Sequence, residues 1–332
     1  MDFINETFCI HTYKLKLWYN YGTTIPVFIR RTDMDLKESI KETAKKNGMD
    51  MCGFAGIDRF ENAPGNTHPQ KILKNCKSVI VVAKRILDGI AAANMMAFEE
   101  DRWDMKGLWG TYGYGMLPNF HLTYACYAIA NFIESTYSAL AMPLSTGPMT
   151  NGNQMSIRHA AVAAGLGEFG WLSIVLTPEF GPRQRFGVIL TTLEIEPDPM
   201  YSGKTLCNPA VCKVCTDVCP TKALDIYPAS KTKVVEMGGK RYEYSNISFD
   251  KCRICCEGLM KKYGGNDNYL EDDKNATHED IEAARACIPL DHSAIQPQVT
   301  WKCGRCQTYC PVGEWGKRFK DTGVTGRLPV FD

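Results

Sequence analysis

Two cysteine runs constrain this chain more than anything else in it. The first reads Cys207-x4-Cys212-x2-Cys215-x3-Cys219-Pro220, and the second Cys303-x2-Cys306-x3-Cys310-Pro311. Eleven of the fifteen cysteines lie between Cys207 and Cys310, while Cys9, Cys52, Cys76 and Cys126 are scattered ahead of them. Crowding of this kind means metal ligation or a disulfide framework, and the redox compartment decides between them. The opening residues, MDFINETFCIHTYKLKLWYN, show no basic stretch leading into an apolar one and no twin arginine. No run of about 18 apolar residues occurs anywhere. The expectation is a cytoplasmic protein with reduced thiols and no membrane contact, whose clustered cysteines bind metal.

The Cys-x2-Cys-x3-Cys-Pro spacing is that of the bacterial two-cluster ferredoxin run, whose last cysteine ligates the other cluster. Close spacing lets one loop wrap several irons of a cubane, and the proline turns the last sulfur towards its neighbour. Carrying the crossing rule through, Cys207, Cys212, Cys215 and Cys310 would hold one 4Fe4S cluster. Cys219, Cys303 and Cys306 would hold the second, with Cys252 as fourth ligand and Cys256 or Cys255 as alternatives. CxxC pairs also hold structural zinc; two CxxxCP endings favour iron and sulfur. The gap of four after Cys207 departs from the pattern. Two adjacent clusters make a wire, and the long segment ahead of them is the place for it to lead.

That segment reads as mixed α/β. Residues 1–32 form an aromatic-rich extension. DMDLKESIKETAKKNG has acids early, lysines late, and Leu36, Ile40 and Ala44 on one stripe, the pattern of a capped amphipathic helix. MCGFAGI and Ser78–Val82 read as buried strands, and PQKILKN as a short helix between them. Residues 87–119, rich in aromatics and glycine, are expected to be a long functional loop. A buried helix over about 121–138 follows, then a second in QMSIRHAAVAAGLG, then strands in WLSIVLT and RFGVILTTLEI. The proline-containing EIEPDPMYSG places a boundary near residue 200, giving domains 33–200 and 201–332.

Composition narrows the function. With 38 basic and 37 acidic residues the formal charge is +1, so the general positive field of a nucleic-acid binder is missing and no nucleic-acid partner is expected. No GxGxxG joins a strand to a helix, no Walker loop occurs, and Asp-x-His-x-x-Gly, the histidine motif of corrinoid carriers, is absent.

The stretch AAVAAGLGEFGWLSIVLTPEFGPRQRFGVILTTLEIEPD, followed by the paired CxxxCP motifs, resembles the corrinoid and iron–sulfur reductive dehalogenases and their relatives the epoxyqueuosine reductases. GMDMCGFAGI and HPQKILKNCKSVIVVA are similar to the N-terminal part of the same superfamily. The resemblance runs from about residue 36 to 315 and leans to the dehalogenase-like branch. It implies an oxidoreductase whose residues 33–200 form a nitroreductase-like α/β (α+β) domain binding cobalamin base-off, followed by a ferredoxin-like domain. An external low-potential donor, a ferredoxin or flavodoxin, would supply electrons through both clusters to cobalt for reduction of a small-molecule substrate, reductive dehalogenation among the options.

The same resemblance assigns site residues. Trp171 stands where dehalogenases carry arginine and epoxyqueuosine reductase lysine, and Asn151 stands where the latter carries its catalytic acid. Asparagine cannot donate a proton as an acid, so Tyr112 and Tyr114 become the candidate proton donors. Phe180, Gly181 and Pro182 would approach the corrin ring, and Arg183 and Arg185 would anchor its side groups or a substrate anion. With the near-zero charge and no helical-repeat tail in this sequence, a tRNA role is not expected. The competing reading is a ferredoxin-like electron carrier, or a reductive activator of a partner corrinoid protein.

Overall fold

The computed structural model describes residues 35–62, 68–144, 155–265, 267–288 and 303–314. The extension over 1–32 and Asn151 lie outside the described residues.

The chain enters through α1 (Leu36–Lys46), whose Glu38 sits in the first turn and Lys45 and Lys46 in the last, complementing the helix dipole. Gly48, at φ +76°, reverses the backbone after it. Next comes β1 (Met51–Gly56), then the one-turn α2 (Pro69–Ile72) and β2 (Ser78–Arg85). With β3 (Ala141–Pro143) and β6 (Gln184–Thr191) these strands make an antiparallel sheet in the order β1-β2-β6-β3. Both faces are covered. Ile80, Val82 and Ile189 pack on Leu122, Ala125 and Ile129 of α5 (Met116–Tyr137) and on Ile40 of α1. Val79, Val81, Val188 and Leu190 pack on Ala160 to Ala163 of α6 (Ile157–Ala163). Burial on both sides is why Val79–Val82 is an unbroken apolar run instead of an alternating one, each side chain contributing roughly 1.5–3 kcal/mol.

Three sequence expectations change. Residues 87–119 are not a loop: they form α3 (Asp88–Glu99), α4 (Trp103–Leu108) and a π-helical turn (Trp109–Tyr114). The run IAAANMMAF is rich in helix formers, and Ala91, Ala93, Asn94, Met95 and Ala97 are all buried, so no polar face advertises the helix. WLSIVLT is not a long strand but a tight turn, with Ser173 at φ +65°, closing the two-residue ladder of β4 (Glu168–Phe169) and β5 (Val175–Leu176). The helix expected to be buried on most faces, α5, leaves Leu117, Phe120, Tyr124 and Tyr127 exposed along one side.

Beyond residue 200 the chain forms α7 (Val214–Asp217), the hairpin of β7 (Thr232–Met237) and β8 (Lys240–Ser245), α8 (Phe249–Cys256), α9 (His278–Ala286) and α10 (Arg305–Thr308). The hairpin turns through Gly238 and Gly239, both at positive φ as its two-residue loop requires. Val235, Met237 and Tyr244 from the hairpin join the core formed by β2, β6 and α6. The cysteine-rich part is therefore packed into the sheet's own core. Among the described residues no helix is long and apolar enough to cross a membrane.

Candidate metal centre

The described cysteines are free thiols, and from Cys207 onward all but the exposed Cys287 gather in two groups. Cys207 and Cys212 lie on the loop before α7, Cys215 on α7, and Cys310 just after α10. Cys310, Cys207 and Cys212 all act electrostatically on Cys215. Desolvation pushes the Cys215 thiol well up and Cys310 up to about 12, and the neighbouring sulfurs add to both. Cys207 accepts from the Trp171 backbone N–H at 3.3 Å, and its own N–H and that of Leu206 reach Glu168 Oε1 at 3.3 and 2.5 Å.

The second group draws on three segments. Cys219 lies after α7, Cys252, Cys255 and Cys256 on α8, and Cys303 and Cys306 flank the start of α10. The Cys255 thiol hydrogen-bonds Cys303, holding Cys303 below and itself above the ordinary thiol range, and Cys252 is likewise bonded to Cys256. Burial drives the Cys306 thiol up, and Cys303, Cys215, Cys219 and Cys256 all act on it; Cys306 also packs against Cys215 and Cys310, so the two groups meet there. Cys256 also acts on Cys252, Cys255 and Cys303, so all three α8 cysteines face the group.

No three described His, Cys, Asp or Glu side chains converge tightly enough to hold a single metal ion. A cubane takes one thiolate on each of four irons, so its ligands enclose more volume than the roughly 2.3 Å Zn–S shell. Thiols whose ionisation is opposed by burial and by one another become ligands when a cation compensates the charge. The donor set fits an iron–sulfur cluster at each group.

Several residues expected to hold a corrin also make contacts with the cysteine loops. Arg183 is only 2% exposed. Its guanidinium donates to the carbonyls of Cys310 and Val312, both at 2.8 Å, and of Gln307 at 3.3 Å. Gly181, at φ +57°, lies so close to the 310–313 turn that a Cβ there would sit 2.0 Å from the Val312 carbonyl oxygen. Pro182 is buried beside it. Glu314 N–H donates to the Glu179 carbonyl at 3.0 Å, and Phe180 donates its N–H to Thr177 Oγ1 at 3.1 Å. Trp171 is buried, its indole N–H on the Asp225 carbonyl at 2.7 Å. The Phe180–Arg183 turn thus seats the second cysteine loop, and Trp171 walls the first thiol group. A glycine-proline-arginine turn carries no sequence signal separating these uses.

Arg185 is different. It is half-buried, its guanidinium lies 4.6 Å from the Tyr114 ring centroid, and its Nε donates to Asn119 Oδ1 at 3.2 Å. Tyr112 is exposed on the same π-helical turn. Such turns inside helices recur at functional sites. Tyr114, Arg185 and Asn119 therefore form a cluster of polar groups at the sheet end, and Asn119 escaped sequence reasoning because nothing marks it within an apolar helix.

No protein-family model matches the chain. A tetrachloroethene reductive dehalogenase of Dehalobacter restrictus is 38% identical over 79 residues, 23% of this chain and 14% of that protein. An epoxyqueuosine reductase of Staphylococcus aureus is 27% identical over 218 residues, 59% of this chain and 54% of the relative. The chain thus spans less than two thirds of either. Among solved structures, a reductive dehalogenase described as B12-dependent aligns with TM-score 0.47 and 18% identity, over 84% of this chain and 37% of its own. An epoxyqueuosine reductase bound to a modified tRNA stem loop aligns with TM-score 0.43 and 20% identity, over 57% and 52%.

The superfamily resemblance read in AGLGEFG and TPEFGPR holds: the chain's homologues are reductive dehalogenases and epoxyqueuosine reductases, and both are oxidoreductases. One expectation is overturned. Exclusion of nucleic acid rested on net charge, yet an epoxyqueuosine reductase matches 59% of the chain, and such an enzyme was solved with a modified tRNA stem loop. A net charge sums over the whole surface and is silent on a local patch.

Proposed function

We propose that the protein is an iron–sulfur reductase in which residues 201–332 carry two 4Fe4S clusters and conduct electrons to a reacting centre in residues 33–200. The observation that carries this reading is that the two cysteine runs meet: Cys310 packs with Cys207 and Cys215, and both Cys215 and Cys219 of the first run act on Cys306 of the second. Each cluster, when bound, supplies one-electron transfer. The chain's own part is to keep water from the thiols, through Trp171 and Leu224 at one group and Ile254 and Leu259 near the other. Arg183 fixes the turn that carries Cys310.

The superfamily resemblance of the sequence adds base-off cobalamin and reduction of a small molecule, including reductive removal of a leaving group, to the reading. Tyr112 and Tyr114 are its proton donors, with Arg185 stacked on Tyr114 and oriented by Asn119. Arg183, Gly181 and Trp171 brace the cysteine loops, with or without a corrin. That bracing serves equally a second reading, electron transfer to a partner without a bound corrin.

Anaerobic expression with added cobalamin, followed by iron and cobalt analysis, separates the two. About eight irons and one cobalt per chain are expected for the reductase. Eight irons without cobalt would leave the electron-transfer reading, and no iron would remove both. For the proton donors, undiminished turnover in both Tyr112→Phe and Tyr114→Phe would eliminate them.

A further inference from the structure

The second thiol group is clasped by residues that neither the cysteine motif nor the superfamily resemblance picked out. The α3–α4 hairpin and the π-helical turn close over the Cys303–Cys306 loop. Asn94, fully buried on α3, donates its amide to the Cys303 carbonyl at 2.9 Å. Tyr309 donates its hydroxyl to Glu99 Oε1 at 2.6 Å. Lys106, with 0% exposure, directs its ammonium to the Tyr263 carbonyl at 2.6 Å, and its charge reaches both Cys255 and Cys303. Trp109 is also 0% exposed, and its indole N–H has no partner among the described residues. That nitrogen lies against Gly304, between the thiol-bearing Cys303 and Cys306: a Cβ on Gly304 would fall 2.2 Å from it.

A buried N–H donor without a partner costs about 1–3 kcal/mol, so an unpaired indole beside two cluster cysteines calls for an acceptor. Cluster sulfurs accept hydrogen bonds, and such bonds, together with net charge and burial, set a cluster's potential. One electron from a low-potential one-electron reductant adds one negative charge to the cluster and breaks no bond. A buried ammonium and an N–H aimed at sulfur both stabilise the more negative, reduced state, and water is too remote to screen them.

We propose that Lys106 and Trp109 set the reduction potential of the cluster held by Cys219, Cys303, Cys306 and an α8 cysteine. The Trp109 indole would donate to one of its sulfurs, and the Lys106 charge would favour its reduced state. The proposal rests on the cluster reading above. Both are positioning residues: they tune the centre and do not touch substrate.

The test is an EPR-monitored redox titration of the anaerobically reconstituted full chain, comparing wild type with Lys106→Met and Trp109→Phe. A Cys215→Ala chain, keeping only the second cluster, assigns the signals. At a fixed potential near the wild-type midpoint, the reduced-to-oxidised ratio of the second cluster should fall roughly tenfold in each variant, which is 59 mV for a one-electron couple. The first cluster should not move. An unmoved second midpoint in both variants at full iron content overturns the proposal. Where a variant fails to load iron, electron–nuclear double resonance on reduced wild type labelled with 15N-tryptophan decides. A coupled indole nitrogen is expected, and its absence overturns the proposal. Wild type that binds no iron after reconstitution sinks the cluster reading itself, a result distinct from any shift in potential.

Discussion

The two thiol groups follow the same motif but are housed differently. The first is built from one continuous run plus one crossing cysteine, against Trp171 and a turn locked by Arg183. The second takes cysteines from three segments, has six thiols nearby where a cubane needs four, and lies under the α3–α4 hairpin with Lys106 and Trp109. Spacing along the chain decides which sulfurs gather. What surrounds them decides how firmly they are held and at what potential they work, and that is written in residues far from either motif.

Removing a ligand breaks the comparison most severely. Cys215→Ala and Cys306→Ala should each lower iron from about eight to about four per chain, read by anaerobic iron and sulfide assay, and loss of all iron from either would make the groups interdependent. Arg183→Met leaves three carbonyls of the 307–312 segment without a buried cationic donor and should cost about 3 kcal/mol. Urea midpoints would register it, with the Cys310 side loosening first in hydrogen exchange.

The sheet provides a control outside both groups. Burial, with Arg158 nearby, holds His159 down at about 4, while its unfolded form titrates near 6.5. Between those values the unfolded chain binds more protons, so stability is complete above pH 6.5 and falls by about 3 kcal/mol as pH drops towards 4. His159→Gln should flatten that acid limb in chemical denaturation without altering iron content. Gly304→Ala, at φ +66° and pressed against Trp109, should cost about 1–3 kcal/mol and lower iron occupancy of the second group alone. The finest distinction lies on α8: of Cys252→Ser, Cys255→Ser and Cys256→Ser, only one should lower iron occupancy, and three equal losses would mean that the site uses more sulfur than a cubane requires.

Much of this was legible in the chain. The buried strands of β1, β2 and β6 follow from apolar runs, and α1 from its charge asymmetry and Gly48. The cysteine spacing marked which part of the chain gathers the sulfurs. What escaped was long-range. Nothing near Arg183 announces that its partners are carbonyls more than 120 residues later. Nothing in IAAANMMAF separates a largely buried helix from an irregular apolar segment, because periodicity needs a polar face to show itself. Trp109 looked like one aromatic among many in a glycine-rich stretch. Only packing brings it to Gly304.

The crossing of Cys310 to the company of Cys207 also carries a consequence for how the molecule is made. About a hundred residues separate them, so at roughly 5–20 residues per second the ribosome needs several seconds between presenting the first sulfur and the last. During that interval three thiols wait for their fourth partner, open to oxidation or stray metals. Yield in the cell should therefore follow the oxygen tension and iron supply met by the nascent chain as much as the stability of the finished fold.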